Sequence, residues 1–112
     1  MNIKFILEYD GTNYHGWQIQ NDVSTIQGEL KKAFEIVLPN EKINLIGSGR
    51  TDKGVHAYGQ VVSLKIFQKI DLNKLFKSIN GIMNNDIYIK KFQEVDENFN
   101  ARYSAKYRLY KY

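Results

Sequence analysis

The densest group of reactive side chains lies in a short loop near the middle of the chain. Residues 47–56 read Gly-Ser-Gly-Arg-Thr-Asp-Lys-Gly-Val-His. Arg50 and Asp52 are two positions apart, so their side chains project to the same side if the loop is extended. A guanidinium next to a carboxylate favours the ionised form of that carboxylate. An ionised and oriented aspartate is able to act as a nucleophile or as a base toward a sugar carbon.

The same residue types also fit less reactive roles, and the types alone do not choose between them. The three glycines at positions 47, 49 and 54 allow positive φ angles and the close approach of another backbone. An Arg-x-Asp pair in a glycine-rich loop is also typical of a structural salt bridge. His56 is either a general base or a residue that orders the loop through a hydrogen bond.

Spacing argues against two other kinds of site. The loop does not match the phosphate-binding pattern G-x-x-x-x-G-K-[ST], because Lys53 precedes Gly54 and neither Ser nor Thr follows. The two histidines, His15 and His56, lie on separate loops with no carboxylate cluster to join them, and the chain has no cysteine. We therefore expect no metal ion.

The carboxyl-terminal stretch carries the whole net charge of +4. Residues 101–112 contain four basic and no acidic residues, whereas residues 1–100 contain twelve of each. Cations interleaved with aromatic rings suit phosphates and unstacked bases, whereas a solvated amphipathic edge strand would show the same composition. The residues concerned are Arg102, Tyr103, Lys106, Tyr107, Arg108, Tyr110, Lys111 and Tyr112.

Composition limits the class of protein. A chain of 112 residues is expected to form one domain, and 43% hydrophobic residues are enough for a core. The sequence contains no apolar run of the roughly 20 residues that a membrane span needs, and no signal-peptide pattern. We expect a soluble cytoplasmic protein without disulfides and without a membrane partner.

Hydrophobic periodicity predicts the elements that position these residues. A helix is expected after Ser24, as N-cap of a capping box with Gln27, and it ends before Pro39. A second helix begins after Asp71 and ends near Gly81 as its C′ residue. Strands are predicted at residues 3–9, 43–46, 58–67, 87–92 and 102–112.

The order β-α-β-β-α-β with an added strand predicts an α+β fold of the ferredoxin-like or RRM-like type. We expect a mixed four-stranded sheet with both helices on one face, an additional C-terminal strand, and the other face free to bind. The apolar stripe from Ile26 to Leu38 should be core. Trp17, the only tryptophan, either anchors its loop to the core or contacts a bound backbone.

Four segments of the chain, in this order, resemble the tRNA pseudouridine synthase A family. The most specific is Gly-Arg-Thr-Asp-x-Gly-Val-His, at residues 49–56. The segments are residues 9–18 (Tyr-Asp-Gly-Thr to Gly-Trp-Gln), residues 25–30 (Thr-Ile-Gln-Gly-Glu-Leu), residues 47–61, and residues 100–112.

The resemblance implies an isomerase that converts uridine to pseudouridine in the anticodon stem-loop of tRNA, with no metal and no organic cofactor. The C1′–N1 glycosidic bond is exchanged for a C1′–C5 bond. Asp52 stands at the position of the catalytic aspartate, which acts at C1′ or at C2′. Arg50 stands where an arginine pairs with that aspartate and holds the extruded nucleotide. Tyr110 matches a tyrosine that stacks on the target base.

Flipping the target base out costs a few kcal/mol, of which a stacked ring returns roughly 1–3 kcal/mol. In the predicted last strand, Lys106, Arg108 and Tyr110 share one face, so cations and ring would meet the RNA together.

The family's proteins are about twice as long and have two related halves with the active site between them. The second half also supplies dimer contacts. We therefore expect this chain to be the N-terminal half of a homodimeric enzyme, with little or no activity alone.

Two rival interpretations remain for the residues themselves. One is a non-catalytic RNA-binding module of RRM-like fold, which would have no need for a carboxylate among cations. The other is a ferredoxin-like enzyme acting on a small molecule, for which RNA binding would be weak and insensitive to salt.

Overall fold

The computed structural model describes residues 1–48 and 57–102, which form one antiparallel sheet covered by two helices. A three-residue 3₁₀ turn, Gly11–Asn13, follows the first strand. The strands are β1 (Asn2–Tyr9), β2 (Ile46–Gly47), β3 (Ala57–Lys65) and β4 (Ile87–Val95), and the helices are α1 (Ile26–Val37) and α2 (Leu72–Ile82). The predicted order of strands and helices is confirmed.

The sheet has the order β2-β3-β1-β4, and every neighbouring pair is antiparallel. Each strand-helix-strand unit therefore skips one position, which a strand of the other unit fills. The two parallel strands of each unit are never neighbours, so the expectation of a mixed sheet was wrong. The ferredoxin-like α+β fold itself is confirmed.

Both helices cover the same face of the sheet. The side chains of Ile3, Phe5 and Leu7 alternate along β1 and are fully buried. The Phe5 ring lies 5.8 Å from that of Phe34 on α1 and 5.4 Å from that of Phe76 on α2. One residue of the central strand thus contacts both helices, and these rings form the middle of the core.

The predicted stripe of α1 is core, as Ile26, Leu30 and Phe34 are fully buried. The predicted cap of this helix was wrong by one residue. Thr25 is the N-cap, and its hydroxyl accepts from Gly28 N at 3.1 Å. Ser24 is exposed, and the side chain of Gln27 turns away from the helix to neighbouring backbone.

The strand expected at residues 43–46 is mostly absent, since β2 comprises only Ile46–Gly47. Ile43 and Leu45 are buried around the exposed Asn44, so packing under the sheet produces the alternation without a strand ladder. The Leu45 carbonyl accepts from Gln27 Nε2 at 2.8 Å instead of from a neighbouring strand.

Gly81 is not a C′ residue, because α2 continues through it to Ile82 and Met83 caps the helix. Among the glycines that the structure describes, positive φ occurs at Gly16 alone. Asp71 is the N-cap as predicted, accepting from Asn73 N at 2.9 Å. Strand β4 runs three residues beyond its predicted end, to Val95.

The aromatic core predicts a large difference between two phenylalanine substitutions. Phe76→Ala should lower the free energy of unfolding by about 3–5 kcal/mol, because the Phe76 side chain is buried among three other rings. Phe67→Ala, at a residue that is 95% exposed, should change it by less than about 0.5 kcal/mol. Urea denaturation of both variants measures the contrast, and equal effects would contradict the assigned core.

Candidate functional site

The five residues that sequence analysis assigns to catalysis or substrate binding, and the alternative base His56, fall outside the described part of the chain. Arg50 and Asp52 lie in segment 49–56, and Lys106, Arg108 and Tyr110 lie in segment 103–112. Their roles stay predictions. The structure does describe the residues adjacent to both segments. We call these residues, together with the groups that hold them in place, the frame of the site.

The two ends of segment 49–56 lie at one end of the sheet. Before the segment, Ser48 N donates to the carbonyl of Val61 on β3 at 2.8 Å. After it, Ala57 pairs with Tyr9, the last residue of β1. The segment that contains Asp52 is therefore joined at both ends to paired backbone.

Trp17 packs directly beneath the first of these ends. Its side chain is 1% exposed and belongs to the core cluster. A Cβ on Gly47 would lie 2.8 Å from Trp17 Cε2 and 2.9 Å from Trp17 Nε1, closer than carbon atoms of packed side chains approach. Of the two predicted roles, Trp17 has that of an anchor to the core. Glycine is required at position 47 because a side chain packs closely against it, whereas sequence analysis expected the close approach of another backbone.

Gln60 is the second support of this end and was missed by sequence analysis. It lies on β3 on the same face as Val62 and Leu64, and it is 9% exposed. Its Oε1 accepts from Ser48 Oγ at 3.2 Å, and its Nε2 would lie 2.8 Å from a Cβ on Gly47. The available signal was a polar residue at an inward position of an otherwise apolar strand face.

The loop that carries Trp17 is fastened to the start of α1 by backbone hydrogen bonds. His15 N donates to Ser24 O at 2.8 Å, and Gln27 N donates to Trp17 O at 2.9 Å. Gly16 supplies the positive φ of 82° that the turn before Trp17 requires. The indole is consequently held by the helix as well as by the core.

The beginning of the same loop is fastened to the turn before β4. The Asp86 carbonyl accepts from Asp10 N at 2.9 Å, and its carboxylate accepts from the Tyr14 hydroxyl at 2.7 Å. Burial and the Asp86 hydrogen bond raise the pKa of Tyr14 to about 12 from 10.0. The loop is thus bonded both to the start of α1 and to the turn before β4.

Residues 96–101 cross the face of the sheet that carries no helix. Asn2 Nδ2 donates to the carbonyls of Asp96 at 2.8 Å and Phe99 at 3.0 Å. Ser63 Oγ accepts from Ala101 N at 3.1 Å, and Ala101 is 1% exposed. The helix-free face is therefore partly covered at this end, rather than wholly free as expected.

The predicted fifth strand is tested only at its first residue. Ala101 and Arg102 form a helical turn, and the remainder of that strand lies in segment 103–112, outside the described residues. Asn2 and Ser63, which sequence analysis did not single out, hold the backbone from which that segment continues.

Residues 1–48 and 57–102 contain no group of three or more histidines and carboxylates placed to hold a metal ion. Within the same ranges, neither helix has the length and apolar character needed to cross a membrane.

The Tyr14–Asp86 contact predicts a pH-dependent stability difference. Tyr14→Phe should cost about 1–2 kcal/mol near neutral pH, because the carboxylate loses a hydrogen bond. Above pH 10 the tyrosine ionises in the unfolded chain, whereas the folded chain keeps the proton up to about pH 12. The unfolded chain then binds fewer protons, so wild-type stability falls as pH rises through this range and the gap between the two proteins narrows.

Urea denaturation of wild type and Tyr14→Phe at about pH 8 and about pH 11 measures this narrowing. The other tyrosines ionise in both proteins and cancel in the difference. A gap that stays constant or widens would contradict the raised pKa of Tyr14.

Comparison with known proteins gives matches over nearly the whole chain. The family profile described as tRNA pseudouridine synthase matches residues 5–104. A tRNA pseudouridine synthase A of Thermoanaerobacter sp. is 47% identical over 111 residues, 99% of this chain and 45% of the relative. The corresponding protein of Caldicellulosiruptor saccharolyticus is 49% identical over 111 residues, with the same coverage. That of Protochlamydia amoebophila is 48% identical over 109 residues, 97% of this chain and 43% of the relative.

The chain thus spans less than half the length of these curated relatives. The matched region includes residues 5–9 of β1, both helices, the flanks of segment 49–56 and the residues that cross the helix-free face. The agreement of profile, relatives and fold leads to one assignment: the chain belongs to the tRNA pseudouridine synthase family.

Proposed function

We propose that residues 1–112 form the N-terminal half of a tRNA pseudouridine synthase that isomerises uridine in the anticodon stem-loop. The observation that carries the proposal is the family match over residues 5–104, a range that includes the Gly-Arg-Thr-Asp segment. The share of about 45% of each relative supports a second half that completes the enzyme.

The proposed reaction leaves the composition of the nucleotide unchanged. The C1′–N1 bond breaks, the uracil turns within the site, and a C1′–C5 bond forms. N1 gains a proton and C5 loses one, so no oxidant, metal or organic cofactor is required. Asp52 is the proposed catalytic carboxylate, by attack at C1′ or by removal of a proton at C2′. Arg50 is proposed to keep that carboxylate ionised and oriented.

The described frame supports these roles because a reacting carboxylate must be held within a fraction of an ångström of its target. Segment 49–56 starts from a residue packed against Trp17 and Gln60 and ends on a strand paired with β1. The chain leading to segment 103–112 is likewise fixed, through Ser63. Fixed backbone beside segments 49–56 and 103–112 is what a site needs if it must hold its reacting groups in precise positions.

Binding is proposed to use the carboxyl-terminal stretch. Tyr110 would stack on the extruded base, and Lys106 and Arg108 would contact phosphates. In the complete protein we propose a cytoplasmic homodimer. The 112-residue chain alone should have little or no activity, since it would supply half of the cleft.

The first test replaces the proposed catalytic carboxylate. Asp52→Asn in the full-length enzyme should abolish pseudouridine formation and retain tRNA binding, since the amide keeps the size of the side chain and loses its charge and basicity. Release of tritium from tRNA labelled at uracil C5 measures turnover, and filter binding measures affinity.

Asp22→Asn is the matched control, because Asp22 is an exposed residue at which the same change should leave turnover intact. Turnover by Asp52→Asn at the wild-type rate would show that the catalytic assignment is wrong. Absence of turnover in the wild-type enzyme would overturn the proposed function as a whole.

The second test concerns the proposed phosphate contacts. Lys106→Ala and Arg108→Ala should each weaken tRNA binding and reduce the slope of log K against log salt concentration by about 1. Lys32→Ala serves as the control, because its side chain is 73% exposed on α1, on the opposite side of the sheet from residues 96–101. Fluorescence anisotropy at several salt concentrations gives the slopes, and equal slopes for all variants would refute the phosphate contacts.

A further inference from the structure

Gly47, two residues before segment 49–56, has no space for a side chain. This residue belongs to β2 and pairs with Val62, and its φ is not positive. Backbone conformation therefore does not demand glycine here. Space does, because a Cβ would meet Gln60 Nε2 and Trp17 Cε2, each at 2.8 Å.

The indole of Trp17 is the neighbour with no room to move aside, whereas Gln60 Nε2 is the end of a flexible side chain. Trp17 is 1% exposed, and its backbone carbonyl accepts a hydrogen bond from Gln27 N on α1 at 2.9 Å. Gln60 is 9% exposed on a strand and accepts from Ser48 Oγ. A methyl group added at Gly47 must consequently displace the β2 backbone or the packed indole, since side chains packed at native density transmit strain.

We infer that Gly47, through its contacts with Trp17 and Gln60, is a positioning residue for Asp52. The inference rests on the proposed function, because Asp52 follows Gly47 by five residues and is the proposed catalytic group. The contacts set the point and direction from which the chain continues into segment 49–56. A misplacement of about 1 Å at a reacting group is able to cost about 100-fold in rate.

The inference separates catalysis from folding and binding. Gly47→Ala in the full-length enzyme should lower kcat at least about 10-fold, because the backbone that leads to Asp52 shifts. Affinity for tRNA should stay within about threefold, since the proposed phosphate contacts lie in segment 103–112. Tritium release and filter binding provide the two readouts, and thermal unfolding reports stability.

A compensating change distinguishes positioning from a general packing defect. Trp17→Phe removes the indole edge nearest Gly47 and should lower kcat by itself, but the loss of kcat in Gly47→Ala/Trp17→Phe should be smaller than the product of the two single losses. Gly81→Ala is the matched control, because nothing lies within 4 Å of a Cβ at that position in α2. Its kcat should equal that of the wild type.

The outcomes separate the inference from the proposed function. If Asp52→Asn is inactive and Gly47→Ala turns over at the wild-type rate, the inference is overturned and the proposed function stands. The inference is also overturned by a drop in kcat fully matched by lost tRNA affinity, or by losses that simply multiply in Gly47→Ala/Trp17→Phe. A wild-type enzyme without turnover defeats the proposed function instead.

If Gly47→Ala does not fold, Gln60→Leu tests the same inference. This change keeps the side chain about as large and removes the acceptor of the Ser48 hydroxyl. It should lower kcat several-fold with tRNA affinity unchanged, as loss of a support for the segment's first turn loosens the position of Asp52. An unchanged kcat would overturn the inference.

Discussion

The central position of β1 is the constraint on which the other features depend. β1 is paired on one side with β3 and on the other with β4, and its inward face carries the Phe5 ring that both helices contact. Its last residue, Tyr9, leads into the loop that bears Trp17, and its first, Asn2, binds the carbonyls of residues 96 and 99. Displacing this strand would move every part of the frame at once.

Local pattern was sufficient for the order of elements. Alternation identified β1, and spacing identified the buried stripes of α1 and α2, because each pattern records which residues face a core. The pattern failed where alternating residues are buried but their backbone is not paired with a strand. Ile43 and Leu45 are buried on either side of the exposed Asn44, yet they precede β2, and the Leu45 carbonyl bonds to a glutamine side chain and not to a strand. Gly81 misled because an exposed helix position tolerates glycine without ending the helix.

The frame of the candidate site was harder to foresee, because its contacts join distant parts of the sequence. Tyr14 and Asp86 are 72 residues apart, and Asn2 and Phe99 are 97 residues apart. A motif scan finds the residues that resemble a reactive centre, whereas the residues that hold its surroundings are ordinary types such as Gly47, Gln60 and Ser63. Only the folded arrangement shows that a glycine in a strand is needed for an indole to pass beneath it.

The antiparallel pairing of β1 has a consequence for the newly made chain. Ribosomes synthesise this strand before the other three, but its two neighbours end at Lys65 and Val95. One edge of β1 therefore stays unpaired until residues 87–95 have left the exit tunnel. An open strand edge backed by apolar side chains favours pairing with other chains, so a nascent copy is most prone to such association during this interval.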